Sequence, residues 1–337
     1  MKKTIALLLL TAALSLCFVG CNNATSNSNE ATQTTQNEEV VELQPNQVSN
    51  FEYEVNDKGE VEIKKYVGER SQVVIPKTID KKNVTAIGEN AFAGTNIISI
   101  VMPDTVTYIS SAAFLSCEKL ASVKMSVSLI TIGERAFRNC TSLITVDLSM
   151  NSLKYIGEQA FYCCKNLKTV TFGDNIQLIS NEAFYECSSL EEVILPKNLK
   201  EIGNSAFLGC KSIQKVWVPK TVENWGYSPF HGTTSLSEIV FEEGLKQIGN
   251  ITGGFCYNAN IQSVKIPASV EQFSESAFMD CKNLKEIYFD GSAPQIGNNT
   301  FFDFVTPTQD VTIYYNPSMS GWDTTPLKDI YTLIPLS

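Results

Sequence analysis

A chain of 337 residues with 36 acids against 26 bases carries a formal charge of −10, and from residue 91 on its basic residues stand singly rather than in clusters. A surface that tracks phosphates needs grouped Lys and Arg, which argues against nucleic acid as a partner. The single histidine, His231, leaves no imidazole set for a metal and no usual base for a nucleophile.

The first twenty residues have the order of an export signal: Lys2 and Lys3, then an apolar run from Ile5 to Val19. That run is too short to span a membrane and stay there. It ends in Phe18-Val19-Gly20-Cys21, which resembles a lipobox, with Phe18 where the pattern commonly carries Leu. The resemblance implies diacylglycerol attachment at Cys21 and cleavage before it, placing the mature chain outside the cytoplasmic membrane. Loss of residues 1–20 removes two lysines and leaves a charge of −12. From 21 to 50 the chain is rich in Asn, Ser, Thr, Gln and Glu, too polar to offset the entropy of ordering, and reads as a tether. Contact with the membrane is therefore expected through the N-terminal lipid only.

Beyond the tether, FEYEVNDKGEVEIKKYVG (51–68) alternates as a hairpin around an Asp-Lys-Gly turn and, with a degenerate first repeat, forms an expected N-terminal β cap over 51–90. Then a dipeptide recurs as Ala-Phe, with Phe at 92, 114, 137, 161, 184, 207, 230, 255, 278 and 301, at gaps of 22 to 25 residues. A fixed period of that length marks a repeat protein. The unit IGERAFRNCTSLITVDL (132–148) is matched by IGNSAFLGCKSIQKVWVP (202–219), sharing Ile-Gly-x-x-Ala-Phe-x-x-Cys-x-x-Leu-x-x-Val-x-hydrophobic. After each Leu, apolar residues alternate as on a strand with one buried face, for example Val216 and Val218. Glycine at the Ile-Gly step suits a left-handed or tight turn, and Pro103, Pro196, Pro219 and Pro267 end strands. One coil cannot bury its Ile, Phe, Leu and Val alone, so the coils are expected to stack into columns about 4.8 Å apart.

This frame resembles the BspA-like bacterial surface leucine-rich repeats over roughly residues 50–337. The resemblance implies an α/β repeat solenoid, a curved stack of short parallel strands with irregular or short helical segments on its other side. Repeats then occupy 91–305, and 306–337, which departs from the frame with Trp322 and scattered prolines, resembles the family's C-terminal cap.

Six of the ten cysteines, Cys117, Cys140, Cys164, Cys187, Cys210 and Cys281, fall three residues after the repeat Phe. One reading makes each a small buried hydrophobe in a slot that elsewhere holds Thr95, Thr233 or Asn258. The other pairs adjacent coils through disulfides, a bond whose dihedral parallel side chains meet poorly, so mostly free thiols are expected. Cys163 and Cys256 stand off the slot, and without a Cys-x-x-Cys pair or a histidine partner no metal or other cofactor is expected. No nucleophile elbow or phosphate loop is present, and Glu191-Glu192 and Glu242-Glu243 fall at solvated repeat positions, so the chain reads as a non-enzyme.

The positions free to recognise a partner lie between the buried strand residues. One outward column runs Val101, Lys124, Asp147, Thr171, Ile194, Trp217, Val240, Lys265, Tyr288, and its companion includes Glu192, Lys215 and Glu238. Ile194, Trp217 and Val240 on successive coils, rimmed by Glu192, Lys215 and Glu238 and followed by Tyr288, form a candidate binding patch. Other readings have the patch covered by the tether or a cap, or serving only strand pairing. The family resemblance implies adhesion to host or neighbouring-cell proteins, such as matrix components. The alternative is a structural or envelope-assembly scaffold with no soluble ligand.

Overall fold

A computed structural model describes residues 44–249, 255–257, 260–279, 281–296 and 311–337. The leader, Cys21, the tether as far as 43 and the repeat residue Phe301 lie outside the described residues. The chain divides into Met1–Glu42 and Leu43–Ser337, and all described residues belong to the second unit. That unit is a β-solenoid, in which each coil contributes two short strands to two parallel arrays.

The first array grows from the antiparallel hairpin Phe51–Val55 and Val61–Tyr66 through Lys82–Ile87. It continues, one two-residue strand per coil, from Tyr108–Ile109 to Asn224–Trp225 without a break. The second array holds the strands that follow each repeat Leu. It is divided into four sheets: Gln72–Val74 to Ser122–Lys124, Thr145–Leu148 with Thr169–Phe172, Glu192–Ile194 to Glu238–Phe241, and Ser263–Ile266 to Thr332–Pro335.

The repeat phenylalanines from Phe92 to Phe278 form one column. From Phe92 to Phe230 every ring is fully buried and neighbouring centroids lie 4.9 to 5.2 Å apart. Such ring pairs add to the burial of their area. Tyr66 of the hairpin continues the stack onto Phe92 at 5.3 Å. After Phe230 the rings tilt: Phe255 lies at 44° to Phe230, where the gap lengthens to 25 residues. Trp322 packs on Phe289 and Tyr315 at the other end, its Nε1 donating to the Gly291 carbonyl at 3.1 Å.

Of the irregular or short helical segments expected, no helical ones occur in the repeats among the described residues, which corrects the α/β label. Among the described residues the only helical turns are the 3₁₀ segments Val48–Asn50 and Pro326–Asp329, both outside the repeats. Between Ile-Gly and Cys the chain instead takes two left-handed residues per coil, as at Arg135 (φ 55°) and Asn139 (φ 61°), then Gln159 and Cys163, then Glu182 and Glu186. Their amides point along the stack: the Arg135, Phe137 and Asn139 N–H groups donate to the Glu158, Ala160 and Tyr162 carbonyls at 2.7 to 2.8 Å. A helix would turn those donors back onto its own carbonyls. Left-handed geometry costs a non-glycine residue roughly 1–2 kcal/mol, and here a buried bond between coils offsets it.

Among the described residues, glycine of the Ile-Gly step takes the expected left-handed φ at Gly249 (81°) and departs from it elsewhere. Gly133, Gly157, Gly203 and Gly226 do not have positive φ. A Cβ on Gly157 would sit 2.7 Å from the carbonyl carbon of Gly133 in the preceding coil, and those on Gly203 and Gly226 would come closer still to Asn181 and Asn204. Close approach of backbones, not turn geometry, requires glycine here.

The slot cysteines are fully buried or nearly so, and their thiols act as donors: Cys140 Sγ bonds the Phe114 carbonyl at 3.2 Å and Cys187 Sγ the Phe161 carbonyl at 3.1 Å, each one coil back. Thr95 and Thr233 hydroxyls do the same for Phe92 and Phe230 within their own coils. Burial pushes the thiols of Cys140, Cys164 and Cys187 well above their ordinary range. The tether's last residues are tied in: Asn46 is buried, its amide donating to the Val74 carbonyl at 2.8 Å and its Oδ1 accepting from the Val74 amide.

Phe161→Ala should cost about 3–5 kcal/mol and Gly157→Ala about 1–3 kcal/mol in urea unfolding, the first by opening a cavity and the second by forcing coils apart. A raised thiol pKa lowers the thiolate fraction below it, so at pH 8 the buried slot cysteines should resist iodoacetamide, while half-exposed Cys163 reacts first. Mass spectrometry of the native and urea-unfolded protein reads both outcomes.

Candidate protein-binding face

The outward strand columns have the register that the repeat frame implies. Ile194 pairs with Trp217 and Trp217 with Val240, while Glu192, Lys215 and Glu238 align beside them on the same three strands. Residues two apart on a strand share a face, so the six side chains lie on one surface. Ile194 is 57% exposed, whereas Trp217 and Val240 are half-buried, each shielding part of the next. Val193, Val216 and Ile239 between the two columns point into the core.

Lys215 Nζ lies 2.8 Å from Glu238 Oε1, and that bond raises the ammonium above its usual range. Glu192 adds to the shift through its charge. Exposed pairs of this kind set position and specificity more than stability.

Tyr288 belongs to a different group. Lys265 intervenes between it and Val240, and the strands Glu238–Phe241 and Ser263–Ile266 form no ladder. Tyr288 stacks on Tyr314 at 4.7 Å and 9°, and its hydroxyl donates to Glu286 Oε2 at 2.9 Å, which raises the phenol above its ordinary range. The column continues to Ile334, 39% exposed. Tyr314 and Ile334 escape sequence reasoning because the Phe frame ends before them; only the alternation of Val311, Ile313 and Tyr315 marks the strand.

A feature invisible in the sequence is that each break in the second array opens a cleft. One of about 410 Å³ lies beside Val240, lined by Glu238, Phe241, Glu243, Lys265, Pro267 and Asp290. Another of about 330 Å³ lies beside Ile194, lined by Lys168, Thr171, Phe172 and Glu191. The Ile194–Trp217–Val240 sheet is thus a ridge between two grooves. The third, about 960 Å³, separates Ser122–Lys124 from Thr145–Leu148 and is bordered by Val127, 63% exposed, and Ile130, 44% exposed. Both stand in slots that other coils fill with polar residues, such as Lys197 and Lys200.

On the turn side, the Arg138 guanidinium sits 4.4 Å over the Tyr162 ring, which stacks on Tyr185 at 4.6 Å. His231 is half-buried in the strand Phe230–His231. Among the described residues no group of three or more His, Cys, Asp or Glu could hold a metal ion, and no helix is long and apolar enough to cross a membrane.

The repeat pattern matches the family described as BspA type leucine-rich repeat region, in six copies over residues 85–214, 148–253 and 249–316. The chain belongs to the BspA-type leucine-rich-repeat family. Membership assigns the Phe column and strand face to BspA-type repeats and points to a role in protein interaction. No curated protein matches the chain. Among solved structures, a leucine-rich cell surface protein of Faecalibacterium prausnitzii is 20% identical, with 88% of this chain and 99% of that one covered and a TM-score of 0.41. The pneumococcal vaccine antigen PcpA is 20% identical over 87% of this chain and 99% of its own, TM-score 0.40. A leucine-rich-repeat protein of T. pallidum is 21% identical over 77% and 88%, TM-score 0.35.

The Ile194–Trp217–Val240 ridge and its rim make no bond that the core requires. Trp217→Ala should therefore leave the free energy of unfolding in urea within about 1 kcal/mol of wild type and the far-UV circular dichroism unchanged, unlike substitutions in the Phe column.

Proposed function

We propose that this protein is a non-catalytic binding module at the bacterial cell surface, which holds a partner protein on the outward strand face around Trp217. One observation carries the reading: a half-buried tryptophan between Ile194 and Val240, rimmed by Glu192, Lys215 and Glu238, on the strand face that points away from the core. An aromatic anchor inside a charged ring is the composition of an interface hot spot. BspA-type membership supports the same role. A solenoid commits its ladders to packing and leaves recognition to the variable outward positions.

In this reading the chain is exported by residues 1–20, lipidated at Cys21 and held off the membrane by the tether, so that host or neighbouring-cell proteins meet the strand face. The hairpin at 51–66 and the segment 306–337 serve as caps: Tyr66 on Phe92, and Trp322 on Phe289, cover apolar columns whose ends would otherwise face water.

Tritiated palmitate should label the protein in growing cells and fail to label Cys21→Ser, and protease applied to whole cells should remove the solenoid. Pull-downs with the full chain from host-matrix and bacterial-surface fractions should recover a partner that Trp217→Ala retains at least about tenfold less well, the loss of a hot-spot residue. Equal retention by the variant removes the site, and recovery of envelope proteins alone makes the chain an assembly scaffold.

A further inference from the structure

The strand face is chemically uneven along the stack. In the coils from Ser99 to Thr171 its outward positions are mostly Ser and Thr, and the two charges, Lys124 and Asp147, cancel. From Glu192 onward the same positions carry the apolar ridge together with an excess of carboxylates. Both lysines there are already paired, Lys215 with Glu238 at 2.8 Å and Lys265 with Asp290 at 3.0 Å. Glu192 and Glu243 stand in no ion pair, Glu243 accepting the Ala268 amide at 3.1 Å, and at the groove beside Ile194 the charges of Lys168 and Glu191 cancel. The excess is thus centred on the ridge and on the cleft beside Val240, where Glu243 stands at the wall and Glu242 bonds away toward Lys220.

From this asymmetry we infer that the ridge receives an extended, basic segment of a partner protein, with an apolar side chain on Trp217 and a lysine or arginine entering the cleft beside Val240. The inference rests on the binding reading above and adds the chemistry of the partner. Coils stand about 4.8 Å apart, so the ridge from Ile194 to Val240 spans about 10 Å, the reach of three extended residues at roughly 3.4 Å each. The companion column lies two residues along each strand, about 7 Å from the ridge and inside the Debye length of about 8 Å at physiological salt. Its one unpaired carboxylate, Glu192, therefore acts on whatever lies along the ridge. The cleft, about 410 Å³ and walled by Phe241, Pro267 and Glu243, offers an apolar stem and a carboxylate to a long cationic side chain.

Three synthetic heptapeptides that alternate valine with lysine, serine or glutamate provide the test, with the full chain titrated by fluorescence anisotropy. The lysine peptide should bind at least tenfold tighter than the serine peptide, the glutamate peptide weakest, and the preference should shrink as salt rises. Glu192→Gln with Glu243→Gln should cut the lysine preference at least threefold, whereas Glu54→Gln with Glu69→Gln, on the hairpin end, should leave it unchanged. Equal binding of lysine and serine peptides, no binding by any of them, or the same loss from both double variants overturns the basic-partner inference. Trp217→Ala separates the two ideas: weakened binding of all peptides keeps the site and leaves only the charge preference at issue, while undiminished binding removes the site itself.

Discussion

Stacking of one coil on the next is the interaction on which everything else rests. No coil has an interior of its own: Phe137 is enclosed by Phe114 and Phe161, about 5 Å away on either side, and its amide is satisfied by Ala160 of the following coil. Apolar burial and hydrogen bonding thus both run along the stack axis, and stability is a sum over nearest neighbours.

This axis of bonding explains residues that look out of place one at a time. Left-handed arginine, glutamine and glutamate at 135, 159 and 182 are unusual in isolation, yet each turns an amide toward the next coil. Each carbonyl of the Phe column already accepts the amide of the slot residue in its own coil, and the slot cysteine of the next coil gives its second lone pair a weak donor. Threonine serves equally where a coil has it, as at Thr95 and Thr233, so the slot selects a small buried donor rather than sulfur chemistry.

Function enters where this rule relaxes. The array through the Ile-Gly strands runs unbroken from the hairpin to Asn224–Trp225 and restarts at Gln247–Ile248, while the opposite array is interrupted three times from Gln72–Val74 to Thr332–Pro335. Two of the interruptions adjoin the coils lengthened to 24 and 25 residues. The interruptions turn a uniform strand face into ridges and grooves, and the ridge that carries Trp217 is the one with surplus carboxylates beside it. A face of this kind can acquire a new partner by changing a few outward residues without disturbing the core.

Period and pattern alone determined the coil length, the Phe column, the cysteine slot, the strand positions and which side chains point outward, because each depends on a repeat that every coil states again. The alignment of Ile194, Trp217 and Val240 was legible for the same reason. Tertiary structure decided what depends on the fit between coils: left-handed turns in place of helical segments, glycine chosen for backbone contact, the three clefts, and the partnering of Tyr288 with Tyr314 instead of the Trp217 ridge. A repeat pattern specifies what one coil offers its neighbour, but whether two strands meet in a ladder or part into a groove is settled only by the packing of both coils together.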